Sequence, residues 1–350
     1  MDIITQGVLG AAVGQAGFSH KLGRRALGWG AAIGMLPDLD IIVRATSNPF
    51  AEILYHRGVT HSIWFGPVVG PLLGYLLWRY YSQRDSLSSW VGLSIWALVT
   101  HPLLDLFTVY GTQLLAPLSN HRFTLSAVPI IDPIYTGLLT LAIIFGYLCH
   151  RRIWASITVA SIALTLTSGY LFYGLAQNED AYSYAQDQLK EEGKVHGDVR
   201  VYTTMFQIFL RRIVVHFPDE VWIGFVTTWA PKKIIWHKQP QAPDAIRATV
   251  LNHPYGKIYK WFTNDELIFR PYNNPDSSTQ NGSAQWDMLD ARFGLPGPTL
   301  SGIWGRRITI QSDGVLQDDF PGFRVPFDIA LSTYGDIWKA AFGKSDLFLK

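Results

Sequence analysis

Two short clusters of histidine and aspartate carry the side chains best suited to chemistry. The first is residues 56–62, HRGVTHS, and the second is residues 101–105, HPLLD, which begins forty residues after His61. Both border long apolar stretches, where an ionisable side chain is costly and usually faces a protein interior. Imidazole and carboxylate are the ligands that zinc and related divalent metals prefer. The sequence therefore predicts a metal site at the rim of a membrane bundle.

The distribution of charge indicates two domains of different character. Asp, Glu, Lys and Arg make up 16% of the chain, with 17 in residues 1–177 and 39 in residues 178–350, against roughly 25% in an average soluble domain. We predict a transmembrane helical domain over residues 1–177 and an extracytoplasmic α+β domain over residues 178–350. The net charge of +2 is too small to argue for a nucleic-acid partner, and no basic run is interleaved with aromatics, so no such partner is expected.

Several apolar segments are long enough to form membrane helices, which need about 20 residues, with a range of roughly 17–25. The candidates are residues 62–78, 86–104, 133–149 and 153–176. Upstream, residues 3–19 and 26–37 are apolar and glycine-rich, with glycines at the four-residue spacing that lets helices approach closely. We predict a multi-pass protein of the bacterial inner membrane, with the lipid bilayer as its partner.

Basic residues between these segments set the expected orientation, because Lys and Arg collect on the cytoplasmic side. The basic residues in question are Lys21, Arg24, Arg25, Arg79, Arg84, Arg151 and Arg152. Tracing the helices between them brings the histidines and aspartates of both clusters, together with Asp38, Asp40 and Asp132, to the opposite side. The candidate ligands therefore converge on one face under a rule that is independent of metals.

Each candidate also has a purely structural interpretation. His101 and Asp105 are four residues apart, so they share a helix face and could form a buried hydrogen-bonded pair. Asp132 precedes a proline and fits a helix N-cap, and Arg57 could simply extend towards lipid head groups. The metal hypothesis rests on the conjunction, since four of the seven acidic residues in the first 177 belong to the set.

The motifs, taken in order, resemble the YdjM-type membrane-bound metal-dependent hydrolase family of bacteria. The matching stretches are residues 1–6 (MDIITQ), 9–14 (LGAAVG), 36–40 (LPDLD), 56–62, 100–105 (THPLLD), 110–115 (YGTQLL) and 131–135 (IDPIY), and residues 289–294 (LDARFG) resemble the variable domain of longer members. The resemblance implies a relation to zinc-dependent phospholipase C and the zinc nucleases, hence their helical fold and phosphoester hydrolysis. The chain has Gln6 where some members carry His.

Motifs and resemblance together give a specific predicted site. We expect one to three divalent ions, zinc first, held by Asp38, His56, His61, His101 and Asp105. Catalytic roles are predicted for Arg57 on a phosphoryl oxygen and for Asp40 or Asp132 as acceptor of the water proton. The substrate would be an amphiphilic small molecule or lipid, because the site lies at the level of lipid head groups.

Two other functions fit the same residues. A transporter or proton relay also uses His and Asp in membrane helices, but would place them near the middle of the bilayer. A non-catalytic, metal-stabilised membrane scaffold would need a closed ligand shell with no open position for water. A metal measurement and an accessible cleft beside the metal separate these possibilities from a hydrolase.

Residues 178–350 have the pattern of a mixed α+β domain. Short runs rich in Val, Ile, Phe, Trp and Tyr, separated by Gly, Pro, Asn and Asp, are typical of strands. The predicted strands are residues 199–204, 212–217, 221–228, 233–237, 258–262, 267–269 and 306–310. A polar helix is predicted over residues 180–192 and a polar loop over residues 271–283.

Overall fold

A computed structural model describes most of the chain as two units. The described residues are 1–45, 48, 50–83, 85–149, 151–194, 196–272, 283–294, 304–311, 314–317, 320, 322–324 and 331–344. Contacts divide the chain into Met1–Leu175 and Ala176–Lys350. Arg84 and most of the predicted loop over residues 271–283 lie outside the described residues. The extracytoplasmic location of the second domain stays a prediction.

The first unit is helical. Its α-helices are α1 (Ile3–Leu22), α2 (Arg25–Met35), α3 (Ala51–Tyr55), α4 (Phe65–Tyr80), α5 (Leu87–Leu106), α6 (Pro133–Leu148) and the first part of α7 (Ile153–Glu191). Two 3-10 segments, Leu36–Ala45 and Val59–His61, lie between them. In the described part of the chain, three helical segments are long and apolar enough to cross a membrane: Arg25–Val43, Leu87–Leu106 and Ile153–Glu191.

Helices α1 and α2 pack backbone against backbone. A Cβ atom added at Gly10 would lie 2.1 Å from the Gly30 carbonyl oxygen, and one added at Gly30 would lie 2.3 Å from the Gly10 oxygen. Only glycine permits such an approach, as the four-residue glycine spacing predicted. Helix α2 continues directly into the 3-10 segment Leu36–Ala45. The packing of α2 against α1 therefore also positions Asp38, the third residue of that segment.

Helix α5 is the central helix of the first unit. Leu93, Ala97 and Leu98 are almost completely buried and belong to one apolar cluster with Ala26 and Ile33 of α2. The same helix carries His101 and Asp105 in its last turns. A rigid, well-packed helix therefore supplies two of the candidate ligands.

Helix α7 is continuous over 39 residues. The sequence suggested two helices, an apolar one over residues 153–176 and a polar one over residues 180–192. The structure joins them because the polar residues 177–180 contain no proline or glycine to end the first. Beyond that point Ala181, Ala185 and Leu189, spaced by four, bury one face against the first sheet.

Within the residues that the structure describes, the second unit contains two four-stranded antiparallel sheets. The first has the order β1 (Asp198–Thr203), β2 (Leu210–His216), β3 (Glu220–Thr227) and β4 (His237–Pro240). The second has the order β5 (Leu267–Pro271), β6 (Ala284–Asp290), β7 (Trp304–Ile310) and β8 (Gly322–Arg324). The helices are α8 (Asp244–Asn252), α9 (Pro254–Thr263) and α10 (Leu331–Ala341). The chain is thus mixed helix and sheet, with the helices first and the sheets second.

One predicted strand, residues 258–262, is wrong, because this segment is the second half of α9. The His253 side chain caps the helix by accepting from the Tyr255 amide, and Pro254 occupies the first turn, where proline is favoured. Tyr259 and Phe262 are buried at a three-residue spacing, which suits a helix. The predicted strand over residues 233–237 meets β4 only at its last residue, whereas five others overlap β1, β2, β3, β5 and β7.

Candidate metal centre

Four side chains from three parts of the first unit meet at one point. Asp38 comes from the first 3-10 segment, His61 from the second, and His101 and Asp105 from α5. Each offers a ligand atom that lies within 4.8 Å of the others, and all four residues are buried. This group could hold a metal ion.

The separations between the ligand atoms suit tetrahedral coordination. His61 Nε2 lies 3.0 Å from His101 Nε2, 3.3 Å from Asp38 Oδ1 and 3.5 Å from Asp105 Oδ2. His101 Nε2 lies 3.5 Å from Asp38 Oδ1 and 3.7 Å from Asp105 Oδ2. Ligands 2.0–2.2 Å from a tetrahedral zinc ion are separated from each other by about 3.3–3.6 Å. The five distances bracket that range.

Hydrogen bonds on the outer side of both imidazoles decide which ring nitrogen faces the cluster. His101 Nδ1 lies 2.6 Å from the Gly34 carbonyl oxygen, which only accepts, so Nδ1 carries the proton. His61 Nδ1 lies 3.2 Å from Asp40 Oδ2 and is protonated for the same reason. In the neutral rings both Nε2 lone pairs then point at each other across 3.0 Å. A bound cation would relieve this repulsion.

The two carboxylates keep acceptor capacity for a cation. Asp105 Oδ1 accepts from Gln6 Nε2 at 3.0 Å and contacts the Met1 amino group. Among the described residues, buried Asp38 Oδ2 accepts no hydrogen bond, and Asp105 Oδ2 accepts none either, although Arg57 Nε forms an ion pair with it at 3.2 Å. Buried polar atoms are nearly always hydrogen-bonded, so the free acceptor capacity of Asp38 suits a cation.

Asp40 lies behind the cluster and orients His61. Its carboxylate is 2.6 Å from His56 Nδ1 and accepts from the Thr60 hydroxyl at 2.7 Å and the Arg57 amide at 3.1 Å. A carboxylate that holds the outer nitrogen of a ligand histidine is the usual support of a zinc site. Of the five predicted ligands the structure brings four together and leaves His56 beside Asp40, outside the four-residue group.

Arg57 is buried against the cluster. Its Nε lies 3.2 Å from Asp105 Oδ2, its Nη1 donates to the Thr108 hydroxyl at 2.8 Å, and its guanidinium lies over the Tyr110 ring. Burial lowers the pKa of Arg57 to about 10, which leaves it charged at neutral pH. With only 3% of its surface exposed, this arginine balances the charge of Asp105 and presents no free face to a substrate.

Asp132 begins α6. Its Oδ1 accepts from the Ile134 and Tyr135 amides at 2.9 and 3.0 Å, and its Oδ2 accepts from the Tyr170 hydroxyl at 2.8 Å. These contacts are those of an N-cap that also ties α6 to α7. The four-residue cluster does not include it.

One substitution distinguishes the role of Asp132 as a helix N-cap from its predicted role as the acceptor of the water proton. Asn caps helices as well as Asp, and its amide can donate to the Tyr170 hydroxyl, but it cannot accept a proton from water. We expect Asp132→Asn to keep the melting temperature and any hydrolytic activity, and Asp132→Ala to lose about 1–2 kcal/mol of unfolding free energy. A folded, metal-loaded Asp132→Asn protein without activity would instead make Asp132 the proton acceptor.

Comparison with known proteins places the helical unit in a family. The family model described as YdjM inner membrane protein matches residues 1–179, half of the chain. This chain belongs to the YdjM inner membrane protein family. No solved structure matches it.

Two curated relatives are similar to part of this YdjM family member. Inner membrane protein YbcI of Escherichia coli (strain K12) is 32% identical over 123 residues, which cover 35% of this chain and 70% of YbcI. Protein YfhP of Bacillus subtilis (strain 168) is 32% identical over 143 residues, 39% of this chain. The match spans only 40% of the length of YfhP. Family, relative and apolar helices together support an inner-membrane location.

A cavity of about 440 Å³ lies beside the cluster of this family member. Asp40 and Thr60 form part of its polar lining, whereas Tyr55, Val59 and Pro117 supply apolar surface. Tyr55 and Val59 are also more than half exposed. The cavity therefore has a polar end, formed by the Asp40 and Thr60 side chains that contact His61, and an apolar end at the outer surface.

The sequence analysis missed two supports of the YdjM family site. Gln6 donates to Asp105 and, at 3.2 Å, to the His101 carbonyl oxygen, and Thr60 lies 3.0 Å from His61 Nδ1. The signal for Gln6 was present, because it stands at a position where some members of the resembling family carry His.

Proposed function

We propose that this YdjM family protein is a multi-pass enzyme of the bacterial inner membrane that hydrolyses a phosphoester of an amphiphilic substrate with a divalent metal. The observation that carries the proposal is the convergence of two bare Nε2 atoms and two carboxylates on one buried point beside a cavity. Two imidazoles and two carboxylates favour zinc. A divalent ion in such a site supplies an acidified water molecule and stabilises negative charge on the phosphoryl group.

Asp40 is the proposed proton acceptor. Its carboxylate lines the cavity and lies 2.6 Å from His56 Nδ1, so a proton taken from water could be shared with that imidazole. The amide of Arg57 and the hydroxyl of Thr60 hold the other carboxylate oxygen. The acceptor is thereby fixed in place before substrate enters, which is the preorganisation that general-base catalysis needs.

Arg57 acts in this proposal on Asp105 instead of on the substrate. A buried carboxylate needs a countercharge. The Arg57 guanidinium, whose Nε lies 3.2 Å from Asp105 Oδ2, supplies it. The sequence-based role of Arg57 as a phosphoryl contact would require the side chain to turn away from Asp105 and Thr108.

The surface around the cavity favours a lipid-like substrate. Ile42 and Leu118, neighbours of the lining residues in sequence, are 76% and 80% exposed. Together with Tyr55 and Val59 of the cavity lining, they offer exposed apolar surface that suits contact with acyl chains. A head group could enter the polar end while its tail stays in the bilayer, as amphiphiles partition.

A metal-stabilised scaffold is the second candidate function. Four protein ligands complete a tetrahedral shell, and zinc sites with four protein ligands are structural more often than catalytic. The complete burial of His61, His101 and Asp105 favours this alternative. Hydrolysis would require one carboxylate to yield its position to water or the ion to accept a fifth ligand.

Asp40→Asn distinguishes the two functions. We expect the purified variant to keep its metal by elemental analysis, since Asn still bonds Thr60, while hydrolysis of a phospholipid and lipid-phosphate panel falls about 10²-fold or more. Asp85→Asn, which removes a carboxylate paired with Arg25, is the matched control and should remain fully active.

The scaffold predicts a different pattern. Metal-loaded protein would hydrolyse none of the panel, Asp40→Asn would change only stability, and chelation of the metal would unfold the helical unit. That combined result would replace the hydrolase by the scaffold.

A further inference from the structure

The second unit contains a small polar cavity of its own. It has a volume of about 130 Å³ and is formed by the end of β2, the residue after β4, helices α8 and α9, and β5. Its polar lining consists of His216, Gln241, Arg247, Lys260 and Asp265. We call it the Arg247 cavity. It has room for about four water molecules, and a tetrahedral oxyanion is of that size.

Arg247 is held in place with one donor unused. Its Nη2 donates to the Asp244 carboxylate and, at 3.4 Å, to the Pro218 carbonyl oxygen. Its Nε is buried and has no acceptor among the described residues. Buried polar atoms are nearly always hydrogen-bonded, so the Arg247 Nε indicates a ligand that accepts.

Gln241 and His216 contribute atoms of the opposite kind. Gln241 Oε1 is also buried and receives no hydrogen bond from the part of the chain that the structure describes. His216 Nε2 lies 3.0 Å from Glu266 Oε2. Because a carboxylate only accepts, Nε2 carries the proton, and Nδ1 of the neutral ring is an acceptor as well. A matching ligand must therefore both accept and donate.

Lys260 adds a positive charge that a ligand can recruit. Its Nζ lies 3.2 Å from Asp265 Oδ1, and the two side chains are 50% and 60% exposed. Ion pairs with such exposure are weak, so a bound anion competes with Asp265 for the ammonium. The lining thus carries two cations and one carboxylate. Glu266, which contacts His216, is already paired with Arg200 at 2.8 Å.

We propose that the Arg247 cavity binds the phosphate ion. At neutral pH this ion keeps one proton, so it offers an O–H donor besides its acceptor oxygens. The oxygens accept from Arg247 Nε and Lys260 in charge-assisted bonds, and the O–H donates to Gln241 or Asp265. The second unit is then a phosphate-binding domain, whatever reaction the metal centre performs.

The same lining discriminates against sulfate. Sulfate has the shape and charge of hydrogen phosphate but carries no proton. It would leave the Gln241 oxygen unpaired and would face the Asp265 carboxylate without a hydrogen bond between them. An unpaired buried polar group is costly, so sulfate should bind more weakly than phosphate although the cations are the same.

Lysine acetylation followed by mass spectrometry tests the proposal in the full-length protein. Lys260 is the reporter. Lys339 is the matched control, because it forms a similar pair with Asp336 at 3.3 Å and is 62% exposed, but does not line the cavity. At constant ionic strength, saturating inorganic phosphate should slow labelling of Lys260 about fivefold or more and leave Lys339 unchanged. Half-protection by sulfate should require at least about tenfold more anion.

Two substitutions check that the protection arises in the cavity. Arg247→Gln removes the buried cation, and Leu251→Phe fills the cavity from α8 without removing a charge. Each should abolish protection of Lys260 by phosphate. Lys257→Gln, exposed on α9 and outside the lining, removes the same charge as Arg247→Gln and should keep the protection.

Three results would overturn the proposal. Phosphate could slow labelling of Lys260 and Lys339 alike, sulfate could protect Lys260 as well as phosphate does, or a folded Arg247→Gln or Leu251→Phe protein could retain the full protection. Should both variants fail to fold, the comparison of phosphate with sulfate in the parent protein still decides. The reporter is local to the Arg247 cavity, so phosphate bound at the metal centre would not produce the expected result.

Discussion

Replacing His61 with alanine is expected to remove the metal and abolish hydrolysis while the protein stays in the membrane. His61 contributes three of the five short separations within the cluster, so its loss opens the shell towards all three partners. Affinity should fall by more than the roughly 10–100-fold that follows loss of an outer hydrogen-bond partner. Insertion should persist, since it depends on apolar length and His61 lies outside the candidate spans.

Metal content, metal affinity and turnover of the His61→Ala protein check this expectation. His121→Ala is the matched control, because His121 is exposed and contacts Phe123 instead of the cluster. Unchanged metal affinity in His61→Ala would refute the metal centre. Loss of metal together with loss of the folded helical unit would support the scaffold over the hydrolase.

Replacing Gly30 with valine is expected to lower the free energy of unfolding at least as much as replacing a metal ligand does, although Gly30 is not part of the cluster. Its Cβ would lie 2.3 Å from the Gly10 carbonyl oxygen and 3.5 Å from the Ala11 Cα, so backbone atoms would have to move. Overpacking typically costs about 1–3 kcal/mol and more where no side chain can yield. Because α2 leads directly to Asp38, a displaced α2 should also weaken metal binding.

Gly28→Val provides the control on the same helix. A Cβ at Gly28 meets no atom within 4 Å, and the helix propensities of valine and glycine differ by only a few tenths of a kcal/mol. We expect thermal unfolding and metal titration to match the parent protein in Gly28→Val and to deteriorate together in Gly30→Val. If Gly30→Val lost stability but bound metal normally, α2 packing would not position Asp38.

The residues that form the four-residue cluster were largely predictable from the sequence, whereas the contacts of each residue within the site were not. Asp38, His61, His101 and Asp105 followed from residue type and from a topology that gathers them on one side. The separation of His56 from this group depends on the backbone at Arg57, which has a φ of 61°. A positive φ at a non-glycine residue is uncommon and has no sequence signal here. It turns His56 towards Asp40, a contact that spacing alone could not indicate.

The fold, too, was predictable in part from the sequence. Apolar length predicted segments 86–104 and 153–176, which coincide with two of the three candidate spans, Leu87–Leu106 and Ile153–Glu191. The third candidate, Arg25–Val43, extends beyond the predicted segment 26–37, whereas the predicted segments 62–78 and 133–149 form shorter apolar helices. The glycine spacing in α1 and α2 indicated close packing. In the second unit aromatic runs were ambiguous: residues 258–262 became a helix once Pro254 and the His253 cap began one. Strand β6 was not predicted, since its core positions are interrupted by Asp287 and Asp290, which are buried and paired with arginines.

The spacing of the four cluster residues along the chain has a consequence for biogenesis. Asp38 and His61 leave the ribosome long before His101 and Asp105, which arrive together near the end of α5. During translation α1 and α2 can enter the translocon when only two of the four cluster residues, Asp38 and His61, have been synthesised. The proposed metal centre would therefore be completed late in membrane insertion, only after α5 has packed against α1 and α2. A nascent chain arrested before that helix should be unable to capture the ion.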